Sequence, residues 1–171
     1  VALGGAARME LLAGNLDTAQ SFLRLEVHAV RDLKNNAYLT NALVRETLLH
    51  AQRGNGAAAG DAAREAMIAA SALSGPAHAI AVADANLAAG AVALQSDARA
   101  ARHSLTAAID SYRASKRMLF LPQAHLLRAR AELRDGDRDA ALRDLSEGMD
   151  LLDRHRRGLT GPLVGTDILD A

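Results

Sequence analysis

The stretch Ala124–Arg154, AHLLRARAELRDGDRDAALRDLSEGMDLLDR, limits what this chain can become more than any other segment. Apolar residues recur three and four apart on both sides of Asp135-Gly136-Asp137, which predicts two amphipathic helices folded back across the glycine. One such hairpin cannot bury both of its apolar faces, so it needs neighbours of the same kind. The chain supplies them. Ala7 and Ala19, Ala89 and Ala101, and Ala129 and Ala141 each stand twelve residues apart. A small turn residue lies within each interval (Gly14, Ser96, Gly136), and a leucine follows each second alanine by one helical turn (Leu23, Leu105, Leu145). ARMELLAGNLDTAQSFL and ARAELRDGDRDAALRDL agree at roughly half their positions. Paired alanines let two helices approach closely, and the leucine fills the groove toward the next hairpin.

Taken in order, Val1–Ala13 has helical spacing and stops at Gly14-Asn15. Asp17 suits an N-cap for a helix reaching Lys34, and Asn35-Asn36 breaks it. A third helix is expected over Tyr38–Gln52. Gly54-Asn55-Gly56 and the small residues after it are expected to form the longest loop within a hairpin, with Asp61 capping a helix that closes at Gly75-Pro76. An alanine-rich helix from Ala77 to Leu94 turns at Ser96-Asp97 into another that fades near Lys116-Arg117. Pro122 then opens the last hairpin, a good first-turn position for proline. The predicted hairpins span 1–34, 37–75, 77–117 and 122–157. Residues 158–171 are expected to be a linker and the start of a further helix, so that the chain is part of a longer protein.

Composition enters as a set of exclusions. Half the residues are hydrophobic but much of that share is alanine, the best helix former, and β-branched residues are scarce. Twenty basic and twenty acidic side chains leave no net basic field to gather nucleic acid or an anionic membrane surface. There is no cysteine, hence no disulfide, thiolate metal site or cysteine nucleophile in this chain. No apolar run approaches the length of a membrane span. A cytoplasmic setting is expected.

The pattern of small residue, Gly-Asp or Gly-Asn turn, three residues, Ala, three residues, Leu resembles the tetratricopeptide repeat. The resemblance covers nearly the whole chain. It departs from the family in spacing, because the second-helix alanines Ala19, Ala63, Ala101 and Ala141 lie about forty residues apart rather than the usual thirty-four. The family's aromatic positions are also mostly aliphatic here. The resemblance implies an all-α fold, a right-handed α-α superhelix of about four helical hairpins, acting as a protein–protein interaction module. The end of the chain, RDLSEGMDLLDRHRRGLTGPLVGTDILDA, is similar to the last repeat before the caspase-like protease domain of bacterial TPR–CHAT proteins. That similarity implies an alternative role as a regulatory segment of an attached protease. An ATPase domain or a DNA-binding transcription-regulator domain is a further alternative attachment.

Motifs for chemistry are thin. Asp135, Asp137 and Asp139 have the spacing that opens a calcium loop, but Ala140 stands where glycine must turn and Ser146 where the bidentate glutamate is required. An interhelical turn with aspartate capping the next helix is the expectation. Gly54, Gly56 and Gly60 follow a helix rather than a strand, so a linker is expected there instead of a phosphate cradle. The histidines, His28, His50, His78, His103, His125 and His155, are scattered, and no orienting carboxylate stands beside any of them in sequence. The clusters Arg113-Lys116-Arg117 and Arg154-Arg156-Arg157 sit near helix C-termini, where cations complement the dipole. No catalytic residue, cofactor or metal site is expected, and the chain is not read as an enzyme.

If the hairpins coil as in the family, each first helix lines the concave face. The inward candidates are Arg8, Leu12, Asn41, Arg45, Gln52, Asn86, Leu94, Gln123, Arg130 and Arg134. They make a mixed polar and aliphatic groove suited to an extended or helical peptide. The Lys/Asn clamp with which chaperone-binding members hold a C-terminal carboxylate is not in register, so that mode is not expected. Self-association through exposed solenoid ends is the remaining partner expectation.

Overall fold

The structure is a computed structural model and describes residues 2–159. Eight α-helices follow one another: α1 (Ala2–Ala13), α2 (Leu16–Asp32), α3 (Asn36–Gln52), α4 (Gly56–Ser71), α5 (Gly75–Ala93), α6 (Ala98–Ala114), α7 (Leu121–Arg134) and α8 (Arg138–Leu159), with a 3-10 turn at Met118–Phe120. There is no strand among the described residues. Each helix packs on the next. In addition α3 packs on α5, α1 touches α3 and α5 touches α7, so the first helices of successive hairpins share one side of the array. No helix of the described residues is long and apolar enough to cross a membrane.

Local chemistry sets the helix ends. Gly14, Gly54 and Gly136 close the first helices of three hairpins at φ of 80°, 75° and 83°, a left-handed conformation in which any Cβ would be strained. The third hairpin turns through Leu94–Ser96 without such a glycine. Asn35 Oδ1 accepts from the backbone N–H groups of Ala37 and Tyr38, capping α3. Asp97 Oδ1 accepts from Ala100 N at 2.9 Å and Asp137 Oδ1 from Ala140 N at 3.0 Å. The aspartate turn thus has the capping role that the sequence suggests, with Asp135 paired to Arg102 at 2.7 Å. Pro122 lies in the first turn of α7 as expected.

Four expectations change. α2 begins at Leu16 after Asn15, so Asp17 is a first-turn acid rather than the N-cap. α4 begins at Gly56, and residues 56–60 form its opening turns instead of a long loop. The alanines there outweigh the glycines in helix propensity once the segment packs on α3. That moves the repeat register: Ala59, fully buried, follows Asn55 by four as Ala19 follows Asn15, so Ala59 takes the place assigned to Ala63. In the third hairpin the intimate contact is made by Gly90 rather than the partly buried Ala89. A Cβ on Gly90 would stand 2.5 Å from Leu105 Cγ, and Leu105 is wholly buried. Finally, residues 158 and 159 continue α8. The expected linker and further helix over 160–171 lie outside the described residues.

The largest core cluster joins α5, α6 and α7 through Leu87, Leu105, Ile109, Tyr112, Leu121 and Leu127. Smaller clusters tie α1 to α2 and α3 (Ala7, Leu23, Leu49) and α3 to α4 and α5 (Leu43, Ala66, Ala88). Burying a leucine-sized side chain contributes about 1.5–3 kcal/mol, so these contacts hold the stack together while the alanines set its close spacing. On the outer side of α8, Leu142, Met149 and Leu152 are each more than half exposed.

Candidate functional site

The shared face of the first helices carries two adjoining cavities. The smaller, about 130 Å³, is bounded by Arg8 and Leu11 of α1, Asn41, Arg45, Leu48 and Gln52 of α3, Asp84 and Leu87 of α5, Tyr112, Phe120 and Gln123. The larger, about 550 Å³, continues along Leu48, Gln52, Ala91, Leu94, Gln95, Gln123, Leu126, Leu127, Arg130, Leu133 and Arg134. Leu11, Leu48, Gln52 and Gln123 line both. The two therefore form one groove with an aliphatic floor, in the size range of small-ligand and side-chain pockets.

Eight of the ten inward candidates line this groove: Arg8, Asn41, Arg45, Gln52, Leu94, Gln123, Arg130 and Arg134. Asn86 is partly buried on α5 and borders neither cavity. The side chain of Leu12 lies outside the described residues. On α7 the positions Gln123, Leu127, Arg130 and Arg134 recur at helical spacing, which brings them to one face. Arg130 and Arg134 stand one turn apart on it, rising about 6 Å along the axis.

The charges of the groove are unequal. Arg45 is committed to the buried Glu26 of α2, its Nε donating to Oε2 at 3.2 Å and its Nη2 to Oε1. Arg8, Arg130 and Arg134 are exposed and have no carboxylate partner among the described residues. Among the described residues the one acid on the groove lining is Asp84, and it is spoken for. Tyr112 Oη donates to Asp84 Oδ1 at 2.7 Å, and Arg117 Nη1 donates to both carboxylate oxygens at 2.9 and 3.0 Å. The Arg117 guanidinium also lies 4.0 Å from the Phe120 ring centroid, and Arg8 approaches the same ring at 5.4 Å. Phe120 in turn stacks on Tyr112 at 5.5 Å. Burial, followed by the neighbouring Asp84, pushes the Tyr112 hydroxyl far up, so it stays a donor. Arg117 is therefore not a solvated helix-end cation. It is tied to Asp84, Tyr112 and Phe120, three residues that line the groove where Arg8 of α1 approaches Phe120.

A second polar assembly lies in the last hairpin. His125 is fully buried on α7, and its Nδ1 meets Asp144 Oδ1 of α8 at 3.0 Å. Arg128 grips the same carboxylate, with Nε to Oδ2 and Nη2 to Oδ1 both at 2.6 Å. Burial pushes the Asp144 carboxyl up, but the hydrogen bonds from Arg128 and His125 outweigh it and hold it at about 2. The bond to Asp144 in turn raises Arg128. The orienting carboxylate that the sequence did not display beside any histidine is thus present in space. It stands nineteen residues from its ring, and only the fold brings them together.

Glu132, also on α7, is buried with Oε2 unpartnered and Arg128 Nε 3.9 Å away. Burial and then Asp144 raise its carboxyl above the ordinary value. A raised acid binds its proton more tightly in the folded chain, so stability contributed by the protonated form is lost as pH climbs through its titration. Glu132→Gln removes that penalty. The variant is expected to match or exceed the parent by up to ~1 kcal/mol in urea unfolding at pH 7, the difference shrinking as pH falls toward 4.5; a clear loss at pH 7 would mean that Arg128 depends on Glu132.

Comparison with protein-family models, curated proteins and solved structures finds nothing that matches the chain.

Proposed function

We propose that this chain is a tetratricopeptide-like solenoid that binds a peptide or protein segment along the groove of its first helices. One observation carries the reading. Among the described residues the groove has a leucine-rich floor and three arginines without carboxylate partners, while its one acid is already neutralised by Arg117 and Tyr112. Such a surface offers apolar area for aliphatic side chains and charge-assisted bonds for carboxylates or carbonyls. Arg130 and Arg134 supply those bonds at one end and Arg8 at the other.

The test uses a fluorescein-labelled dodecapeptide of glutamate, leucine and alanine with glutamates four apart, alongside its glutamine counterpart. Fluorescence anisotropy is expected to detect the acidic peptide binding the wild-type chain. The double charge reversal Arg130→Glu/Arg134→Glu is expected to weaken it by roughly tenfold or more, since each charge-assisted bond contributes about 1.5–3 kcal/mol. Far-UV circular dichroism should not change, because both side chains are exposed. Unchanged affinity with unchanged helicity would sink the assignment.

A further inference from the structure

We infer that His125 and Glu147 form the protein half of a zinc-class divalent cation site that staples α7 to α8, with Asp144 as the positioning residue behind the histidine. The starting point is an orphaned atom. His125 is fully buried, and its Nε2 has no hydrogen-bond partner. Asp144 is held ionised by Arg128 and can only accept, so the His125 Nδ1 that meets it carries the proton. In the neutral ring that leaves Nε2 with a bare lone pair, pointed away from Asp144. Buried polar atoms without partners are uncommon and call for an unseen ligand, ion or water.

The atom facing Nε2 is Oε1 of Glu147, 3.9 Å away, on a side chain that is partly exposed. A water donating to Nε2 and to the carboxylate at ordinary hydrogen-bond lengths would hold the two atoms about 4.5 Å apart. Zinc–nitrogen and zinc–oxygen bonds of about 2.0–2.2 Å at the tetrahedral angle bring their ligand atoms to about 3.3–3.6 Å. The observed 3.9 Å lies between the two, and the partly exposed Glu147 side chain closes on an ion by moving a few tenths of an ångström. The arrangement of carboxylate, imidazole N–H and opposite nitrogen is the one by which second-shell acids orient metal-binding histidines and raise their basicity. His125, Asp144 and Glu147 together are also the one cluster of His and acidic side chains among the described residues whose donor atoms converge closely enough for a shared ion. Asp144 itself is not counted as a ligand, because Arg128 and His125 Nδ1 occupy its oxygens. Solvent on the Glu147 side completes the coordination.

One neighbour opposes the ion. Arg113 of α6 donates to the same Glu147 oxygen, so a cation must displace it. That competition gives the site a signature that a scattering of surface histidines would lack. Zinc is titrated calorimetrically into the full chain in a non-coordinating buffer at pH 7.5, with thermal unfolding followed in parallel. The wild-type chain is expected to bind one ion and to unfold at a higher temperature with it. Glu147→Gln is expected to weaken binding at least tenfold and abolish the thermal shift. Arg113→Ala, which frees the carboxylate and removes a like charge, is expected to tighten binding severalfold. Both changes sit on partly exposed side chains, so folding persists without zinc. In the wild-type chain the imidazole Nε2 nitrogen resonance of one ring, whose Nδ1 is protonated, should shift on zinc addition. Equal titrations in the wild type and Glu147→Gln would show adventitious binding to other histidines and overturn the assignment. So would no binding at all, or weaker binding in Arg113→Ala.

Discussion

Asp84→Ala is expected to destabilise the chain by about 3 kcal/mol or more, a larger effect than removing Arg8, Arg130 or Arg134. The aspartate is 3% exposed and carries three hydrogen bonds, from Tyr112 and Arg117. Deleting one partner of a buried ion pair leaves the other charge desolvated and unopposed, which costs about 3–5 kcal/mol. Here the Tyr112 hydroxyl, wholly buried, is stranded as well, for about 1–3 kcal/mol more if no water reaches it. Arg117 retains the Phe120 and Tyr112 rings at 4.0 and 5.6 Å, and cation–π attraction recovers part of the loss. Urea unfolding at pH 7 measures the difference, and Tyr112→Phe supplies the comparison. The phenylalanine variant removes one donor and leaves Asp84 with Arg117, so about 1 kcal/mol is expected from it. If Asp84→Ala cost no more than Tyr112→Phe, the Arg117 pair would be contributing nothing and the groove end would be held by aromatic stacking alone.

The hairpins were readable in the sequence because their determinants are local. Alanine at close-packed positions, glycine at left-handed turns and leucine one turn later are all fixed by neighbours within about twelve residues. Where two local signals competed, the reading slipped. Gly54, Gly56 and Gly60 look like a linker, yet Ala57–Ala59 and packing on α3 make the segment helical, and the repeat moves from Ala63 to Ala59. Gly90 carried no turn signal at all, since its task is to let Leu105 approach. The placement of the first-helix candidates follows from the same local rule: positions at helical spacing fall on one face, and eight of the ten named residues line the cavities. Asn86 borders neither cavity, because it lies two positions from Asp84, about 200° around α5, and so points away from the Asp84 face.

The polar assemblies were not legible. Asp84 meets Arg117 across thirty-three residues and His125 meets Asp144 across nineteen, and neither pair has a spacing motif to announce it. A buried aspartate inside an alanine-rich helix, as at Asp84, is the nearest thing to a signal, because a charge there requires a partner from another element. The Arg113-Lys116-Arg117 cluster read as a solvated helix end, but its members diverge in space. Arg113 turns to Glu147, Lys116 adopts a left-handed φ of 56° after α6, and Arg117 pairs with Asp84 of α5.

Asp144→Ala is the second large effect, and it has a pH signature. The carboxylate is 4% exposed and accepts from both Arg128 and His125, so its removal is expected to cost about 3–5 kcal/mol at pH 7 and to loosen α8 from α7. Its folded value of about 2 lies below the ordinary 3.8, which means that the unfolded chain binds the proton more readily. Stability from Asp144 is therefore fully present above about pH 4 and drains away as pH falls through about 2. Glu132 runs the other way, its raised carboxyl favouring the folded chain at low pH, so the two partly offset in the wild-type acid limb. In Asp144→Ala that limb should lose the Asp144 contribution, and the variant's stability should fall less steeply between pH 4 and 2 than the wild type's. Denaturant unfolding at half-unit intervals of pH reads this directly. Parallel curves for the two chains would mean that Arg128 and His125 do not hold Asp144 ionised. The groove reading would be untouched, because no groove residue hydrogen-bonds Asp144 among the described residues.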